Sequence, residues 1–341
     1  MPSIKDVARL AGVSYTTVSH VINASKKVSA PTQARVRQAV EECGYVPSQA
    51  ARAMRGGASK VFGIILPNIS DPFCAEVALG AERAAASEGY STVLVNTEPH
   101  KAPIQAHIER LLSSRIDGLI VVAGLFDHSN LVGRLASYTQ QHAFPMVFID
   151  HEPENLPADA LVADAEQAAY GAVTYLVGLG HQRIGCISGP PGMPVADARL
   201  AGWRAALKKA GLEAPDEWLF EGDFTMASGV VGTETLLDNL TPRPTAIFAC
   251  GDLMAVGALR AASRRGVLVP EQCSVMGMGG ASLCEYVYPS LSSVGSDLRA
   301  LGEQSVGLLL ARIKGPADQP FHTRRRAEVL QIRESTGPVP S

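Results

Sequence analysis

Thr16 and His20 stand four residues apart in the run Ile4-Lys5-Asp6-Val7-Ala8-Arg9-Leu10-Ala11-Gly12-Val13-Ser14-Tyr15-Thr16-Thr17-Val18-Ser19-His20-Val21-Ile22. Residues four apart share one face of a helix, and here Val18 and Ile22 define the opposite, apolar face. A hydroxyl and an imidazole projecting together from a helix can reach base edges in a DNA major groove, with Tyr15 beside them at the helix start. Ser14, Ser19 and Asn23, together with helix N-terminal amides, can meet phosphates. The chemistry on offer is hydrogen bonding to double-stranded DNA.

Such a helix needs a partner to aim it. Ala8 is small where a second helix would cross and Gly12 supplies a tight turn, while Val7, Ala11, Val13, Val18 and Val21 form a shared apolar seam. Three short helices fit between Ile4 and about Cys43, with Ser14 and Thr32 placed as N-caps and Pro31 preceding the latter. After Gly44-Tyr45-Val46-Pro47, a brief helical stretch from Ser48 to Arg55 closes on Gly56-Gly57 and reads as a hinge. Residues 1–60 hold nine Lys/Arg against three Asp/Glu, whereas residues 61–341 hold 21 against 30. A basic head on an acidic body points to a polyanion partner for the head alone. A three-helix module for protein contacts is the bland alternative, but it explains neither the basic head nor the hinge.

From Val61 the pattern changes to apolar runs of strand length alternating with helical segments, which predicts βα units on parallel sheets. One strand set is Val61–Leu66, Thr92–Asn96, Gly118–Val122 and Met146–Ile149, with helices at Phe73–Glu88, Ile104–Ser114 and Ser129–Gln141. A second set is Ile184–Ser188, Trp218–Glu221, Ala246–Ala249 and Ser274–Met276, with helices at Ala165–Leu179, Ala196–Ala210, Met226–Leu237 and Leu253–Arg264. Two similar halves imply two α/β lobes, with ligands expected in the cleft at the carboxyl ends of the strands.

The 341 residues exceed one ordinary core. No stretch approaches the roughly 18 apolar residues of a membrane helix, and the N-terminus lacks the apolar region of a secretory signal, so a cytoplasmic location is expected. Six cysteines are scattered singly and eight histidines form no metal set, so no metal or other cofactor is expected. Neither a Walker loop nor a G-x-S-x-G elbow occurs, and Gly277-Met278-Gly279-Gly280 lacks the full dinucleotide fingerprint, which argues against an enzyme.

Over nearly its whole length the chain resembles the lac repressor and purine repressor family of bacterial transcription regulators. The motifs are Ile4 to Ala8, Val18 to Asn23, Gly44 to Ser48, Ala51 to Met54, Asp71-Pro72-Phe73, Arg115 to Ile120, Gly180 to Ile184, Ser188-Gly189-Pro190, Arg199 to Gly202, and Gly251 to Ala258. The resemblance implies an N-terminal all-α helix-turn-helix head, residues 1–46, a hinge helix and linker, 47–60, and an α/β core of two lobes like those of periplasmic binding proteins, 61–341. It implies a homodimer on a roughly palindromic operator, with a sugar, sugar acid or related metabolite as effector between the lobes. It groups Tyr45 with the DNA contacts and makes Met54 an apolar wedge in the minor groove, where the family usually has leucine.

In the cleft the resemblance puts Phe73 and Cys74 on one wall, Phe224 on the other, Arg199 and Asp252 among the polar groups, and Asp150 near the crossover. Arg199 would grip a ligand carboxylate or hydroxyls, the alternative being a surface arginine at a helix start. Asp252 would bond a ligand hydroxyl or, as the safer reading, cap the helix beginning at Leu253. Two positions depart from the family: Met193 stands where purine-binding members carry a pocket arginine, and Gly279 where an aspartate often fixes a ligand. That leaves a less polar effector, a carboxylated sugar held chiefly by Arg199, or none. Arg324-Arg325-Arg326 reads as a solvated turn before a strand from Glu328 to Ile332. With no heptad pattern after Ser335, a dimer is favoured over a tetramer.

Overall fold

The computed structural model describes residues 2–23, 26–45, 58–97, 104–122, 133, 135–136, 144–154, 156–316 and 318–339. Met54, most of the hinge, most of the expected helix at 129–141 and the side chain of Asn23 lie outside the described residues. The chain divides into two compact units, residues 1–60 and 61–341.

The first unit is built from helices α1 (Ile4–Ala11), α2 (Tyr15–Asn23) and α3 (Ala30–Cys43). Ser3 opens α1 by donating its backbone N–H and hydroxyl to the Asp6 carboxylate, while the Asp6 N–H returns to the Ser3 carbonyl at 2.9 Å. Ser14 caps α2 as expected, accepting the Thr17 N–H at 3.1 Å. The third helix starts three residues earlier than the sequence suggested. Ser29 is its N-cap residue and Pro31 lies in its first turn, so Thr32 is already helical and pairs its hydroxyl with that of Ser29 at 2.9 Å. Val7, Ala8, Ala11, Val18, Val36 and Ala39 form the small buried core, with Val13, Val21 and Ile22 packed at its edge.

The second unit holds strands β1 (Val61–Leu66), β2 (Ser91–Asn96), β3 (Gly118–Val122), β4 (Met146–Ile149), β5 (Asp159–Ala163), β6 (Ile184–Ser188), β7 (Leu219–Glu221), β8 (Ala246–Ala249), β9 (Ser274–Gly279), β10 (Ser292–Gly295), β11 (Thr323–Arg326) and β12 (Val329–Gln331). Its helices are α4 (Pro72–Ser87), α5 (Ile104–Ser113), α6 (Ala165–Gly178), α7 (Pro194–Lys209), α8 (Met226–Asn239), α9 (Asp252–Arg264) and α10 (Leu298–Lys314). One sheet has the order β11-β5-β4-β3-β1-β2 and is parallel throughout; the other, β12-β10-β9-β8-β6-β7, is parallel except where β12 joins β10. Their central strands are buried throughout except at Val61, the first residue of β1, as continuous apolar runs in a doubly covered sheet require.

The lobes are not two successive halves, which corrects the sequence reading. The chain passes between them three times: after β5, after β10 and after β11. The return passage brings α10 against α4 in the first lobe, a contact close enough that a Cβ on Gly80 would stand 2.0 Å from the Arg299 carbonyl oxygen and one on Gly302 2.1 Å from that of Val77. Neither α10, β5 nor β10 was anticipated. Nor is Arg324–Arg326 a turn: it lies in β11, whose register places Arg326 beside Ala163; Arg324 and Arg325 stay exposed, as expected, and Arg326 alone turns inward.

Candidate DNA-reading surface and interlobe cavity

The first turn of α2 presents its polar side chains outward. Tyr15 is 61% exposed, and Ser14 and Thr16 are exposed, whereas Val18 is buried and Ile22 half-buried against the head core. Ser19 and His20 are half-buried. Tyr45 follows α3, donating its N–H to the Val40 carbonyl at 3.0 Å and packing against the same core, so its ring serves the head's packing.

Between the lobes lies a cavity of about 50 Å³ at the carboxyl ends of the strands. The first lobe contributes Asp71, Pro72 and Phe73 from the start of α4 and Asp150 from the end of β4. The second contributes Val195 and Arg199 on α7, Phe224 before α8, Gly251 to Leu253 at the start of α9, and Met278, Gly279 and Ala281 after β9. Asp150 and Phe224 have φ of 58° and 64°, left-handed values that cost a non-glycine residue about 1–2 kcal/mol and persist where surrounding structure enforces them.

Arg199 is neither a surface residue nor at a helix start. It is 9% exposed within α7, donates Nη1–H to the Cys250 carbonyl at 2.7 Å, and holds its guanidinium 6.0 Å from the Phe224 ring centre. Its Nε–H has no hydrogen-bond partner among the described residues. Asp252 does not cap α9; Gly251 occupies the cap position, and the buried Asp252 carboxylate instead accepts the Ala281 N–H at 2.9 Å and the Ser293 hydroxyl at 2.6 Å. Burial pushes the Asp252 carboxyl up, opposed by those donors; it pushes Asp71 up as well, opposed by the Phe73 N–H. Both carboxyls are therefore desolvated at the cavity wall while accepting hydrogen bonds that hold the surrounding backbone.

Two expected cleft residues are elsewhere. Cys74 points the other way from Phe73 on α4, wholly buried in the first lobe's core, where desolvation pushes its thiol up. Met193 is the N-cap residue of α7 and does not line the cavity. Gly279 does line it, and the Asp252 carboxylate fills the space beside it: a Cβ at 279, where φ is 147°, would lie 2.8 Å from Asp252 Oδ2. The sequence reading missed Asp71, which caps α4 through the Phe73 N–H at 2.9 Å. The Asp71-Pro72 pair at a helix start was its signal. It also missed Arg326, which donates to Asp150, itself a cavity residue, at 2.6 Å and to Glu328 at 3.0 Å, because only the strand pairing of β11 brings that arginine to Asp150.

A helix-turn-helix head and a two-lobed core with an aromatic and carboxyl-lined cavity define a ligand-responsive DNA-binding transcription regulator. The pattern of "Bacterial regulatory proteins, lacI family" matches residues 3–48, and that of "Periplasmic binding protein-like domain" residues 173–336. The chain is 36% identical over 338 residues to the HTH-type transcriptional repressor PurR of Photobacterium profundum, covering 98% of each chain. It is 35% identical over 335 residues to that of Pasteurella multocida, again covering 98% of each. Its fold is similar to the lac repressor dimer bound to operator and the anti-inducer ONPF (TM-score 0.84, 30% identity, 98% and 99% covered). It is similar too to the transcriptional regulator CelR–cellobiose complex (TM-score 0.69, 29% identity, 98% and 100% covered). The chain belongs to the lacI family of bacterial regulatory proteins.

Proposed function

We propose that the chain acts in the cytoplasm as a homodimeric repressor without catalytic activity. It binds a roughly palindromic operator, and its grip on that operator is set by a small metabolite held between the lobes. The observation that carries this reading is the first turn of α2, where exposed Tyr15 and Thr16 stand on a helix whose other face is locked into the head core by buried Val18. Tyr15, Thr16 and His20 read bases, Ser14, Ser19 and Asn23 meet phosphates, Tyr45 braces the head near the DNA, and Met54 in the hinge wedges the minor groove. Head, hinge and core divide at 1–46, 47–60 and 61–341.

The named relatives are transcriptional repressors, and the lac repressor neighbour is a dimer on its operator, which supports repression and dimerisation. Exposed Tyr286 and Tyr288, at 81% and 92%, offer apolar surface for a second copy. Cellobiose in one neighbour and ribose in another support a metabolite of the sugar class, held here by Phe73, Phe224, Arg199, Asp150 and Asp252. A cavity of about 50 Å³ holds no more than a few waters, so the lobes part to admit it. Binding-site selection with Thr16→Ala and His20→Ala tests the DNA reading: each variant relaxes preference at one or two operator positions by about 1–3 kcal/mol. The same selected site in both variants and wild type refutes it.

A further inference from the structure

The chain passes between the lobes after β5, after β10 and after β11, and one side chain stands at all three places. Arg326 is the last residue of β11, and its register partner Ala163 is the last of β5. Its Nη1–H donates to the hydroxyl of Ser296, the first residue after β10, and to Glu328 Oε1 at 3.0 Å, in the segment that leads on to β12. Its Nη2–H donates to Asp150 Oδ1 at 2.6 Å, and Asp150 lines the interlobe cavity. One guanidinium therefore joins the cavity wall to every passage of the chain between the lobes.

These bonds are shielded from water. The side chains of Arg326, Asp150 and Glu328 are 12%, 9% and 4% exposed, so the pairs escape the screening that leaves a surface ion pair worth little. Breaking one of them strands a buried charge. Burial acts against the Arg326 charge, but Asp150 and Glu328 outweigh it and hold the pKa above its ordinary value. Glu328 also lies in the field of Arg199, the second lobe's cavity arginine, so charges alternate from Arg199 through Glu328 and Arg326 to Asp150 on the first lobe. Asp150 keeps its left-handed φ of 58° between two restraints: its own N–H on the Leu161 carbonyl at 2.9 Å and its carboxylate on Arg326. The Arg326 Nε has no hydrogen-bond partner among the described residues, so the bonds described for this side chain all leave from its two Nη groups. A planar fork reaches Asp150 and the crossing segments at once, whereas an ammonium is a single point.

We propose that Arg326 is the positioning residue of the effector response. It does not line the cavity, but it fastens Asp150 in the cavity wall to the three crossings, so that an occupant displacing Asp150 and a change in the angle between the lobes are one motion. This rests on the cavity being the effector's seat. The tie itself is measured with neither effector nor operator present, so its failure is distinct from a failure of that reading.

The test is hydrogen exchange of the full chain, wild type against Arg326→Lys, which keeps a positive charge between the two carboxylates and loses the fork. The reporters are the Asp150 amide, bonded to Leu161, and the amides at 281–283, where the Ser282 N–H reaches Glu76 of the other lobe at 2.9 Å. In Arg326→Lys both exchange about ten- to a hundredfold faster, the range for a lost charged hydrogen bond, while amides of β8, inside the second sheet, keep their wild-type rates. Ser296→Ala removes one neutral acceptor of the fork and speeds the same amides severalfold, and it decides the matter if Arg326→Lys does not fold. A rise confined to residues 324–328, a rise at Asp150 without one at 281–283, wild-type rates throughout, or an equal rise in β8 overturns the proposal.

Discussion

Replacing Asp252 separates the role of its charge from the role of its geometry. Its carboxylate holds the loop that leaves β9, taking the Ala281 N–H at 2.9 Å and the Ser293 hydroxyl at 2.6 Å, while the next residue, Ser282, gives its N–H and hydroxyl to Glu76 of the first lobe at 2.9 and 2.8 Å. Asp252→Ala leaves a backbone N–H and a hydroxyl without their acceptor in a buried place. The N–H cannot turn away, and the hydroxyl can do so only in part, so the loss is about 2–4 kcal/mol. For a unit of this size each kcal/mol moves the thermal midpoint by about 2 °C, which makes the fall about 4–8 °C. Asp252→Asn keeps a carbonyl oxygen for Ala281 and can donate its amide to the Ser293 oxygen, so it costs less than about 1 kcal/mol.

The two variants also differ in pH dependence. Burial raises the folded-state pKa of Asp252 above its ordinary value of 3.8, so the folded chain takes up this proton before the unfolded chain does. Wild type therefore gains stability relative to Asp252→Asn as pH falls from neutral through the raised pKa towards 3.8, and the difference is constant below that. Thermal unfolding of the full chain across that range is the assay. If Asp252→Asn falls as far as Asp252→Ala at neutral pH, the charge rather than the acceptor geometry holds the loop and the reasoning is refuted.

Gly189→Ala sets a Cβ 2.2 Å from the present position of Phe224 Cζ, so the ring must leave the cavity; affinity for the sugar or sugar acid found by a thermal-shift screen falls at least about tenfold, while operator preference is unchanged. Wild-type ligand affinity in that variant removes Phe224 from the site. Glu76→Ala releases Ser282 and with it the tie between lobes; hydrogen exchange of the amides at 281–283 speeds up by about tenfold or more, and unchanged protection there shows that packing, not Glu76, joins the lobes.

The head was legible in the sequence because its determinants are local. The Ser14 cap, the turn at Gly12 and the spacing of Val18 and Ile22 act within a few residues, so types and intervals sufficed to place Tyr15 and Thr16 on the outer face. The central strands were legible for a similar reason, as a strand buried on both faces leaves a continuous apolar run. Even there the missed start of α3 came from Ser29, an equally good cap two positions before Pro31.

What the sequence could not decide depends on segments far apart in the chain. Of three consecutive arginines that read as a solvated turn, Arg324 and Arg325 are exposed, but the pairing of β11 with β5 turns Arg326 towards Asp150, 176 positions earlier. Asp252 sits where a cap would, yet its partners are 29 and 41 residues further on, and they, not its place beside α9, fix what it does. Arg199 read as a ligand grip or, alternatively, a surface arginine, and its burial follows only because α7 sets it against Cys250 and Phe224. The sequence alone determined that there is a DNA-reading helix and a two-lobed sensor. Only the tertiary structure decided which charges meet inside the sensor, because desolvation and pairing depend on which strands and helices the three crossings bring together.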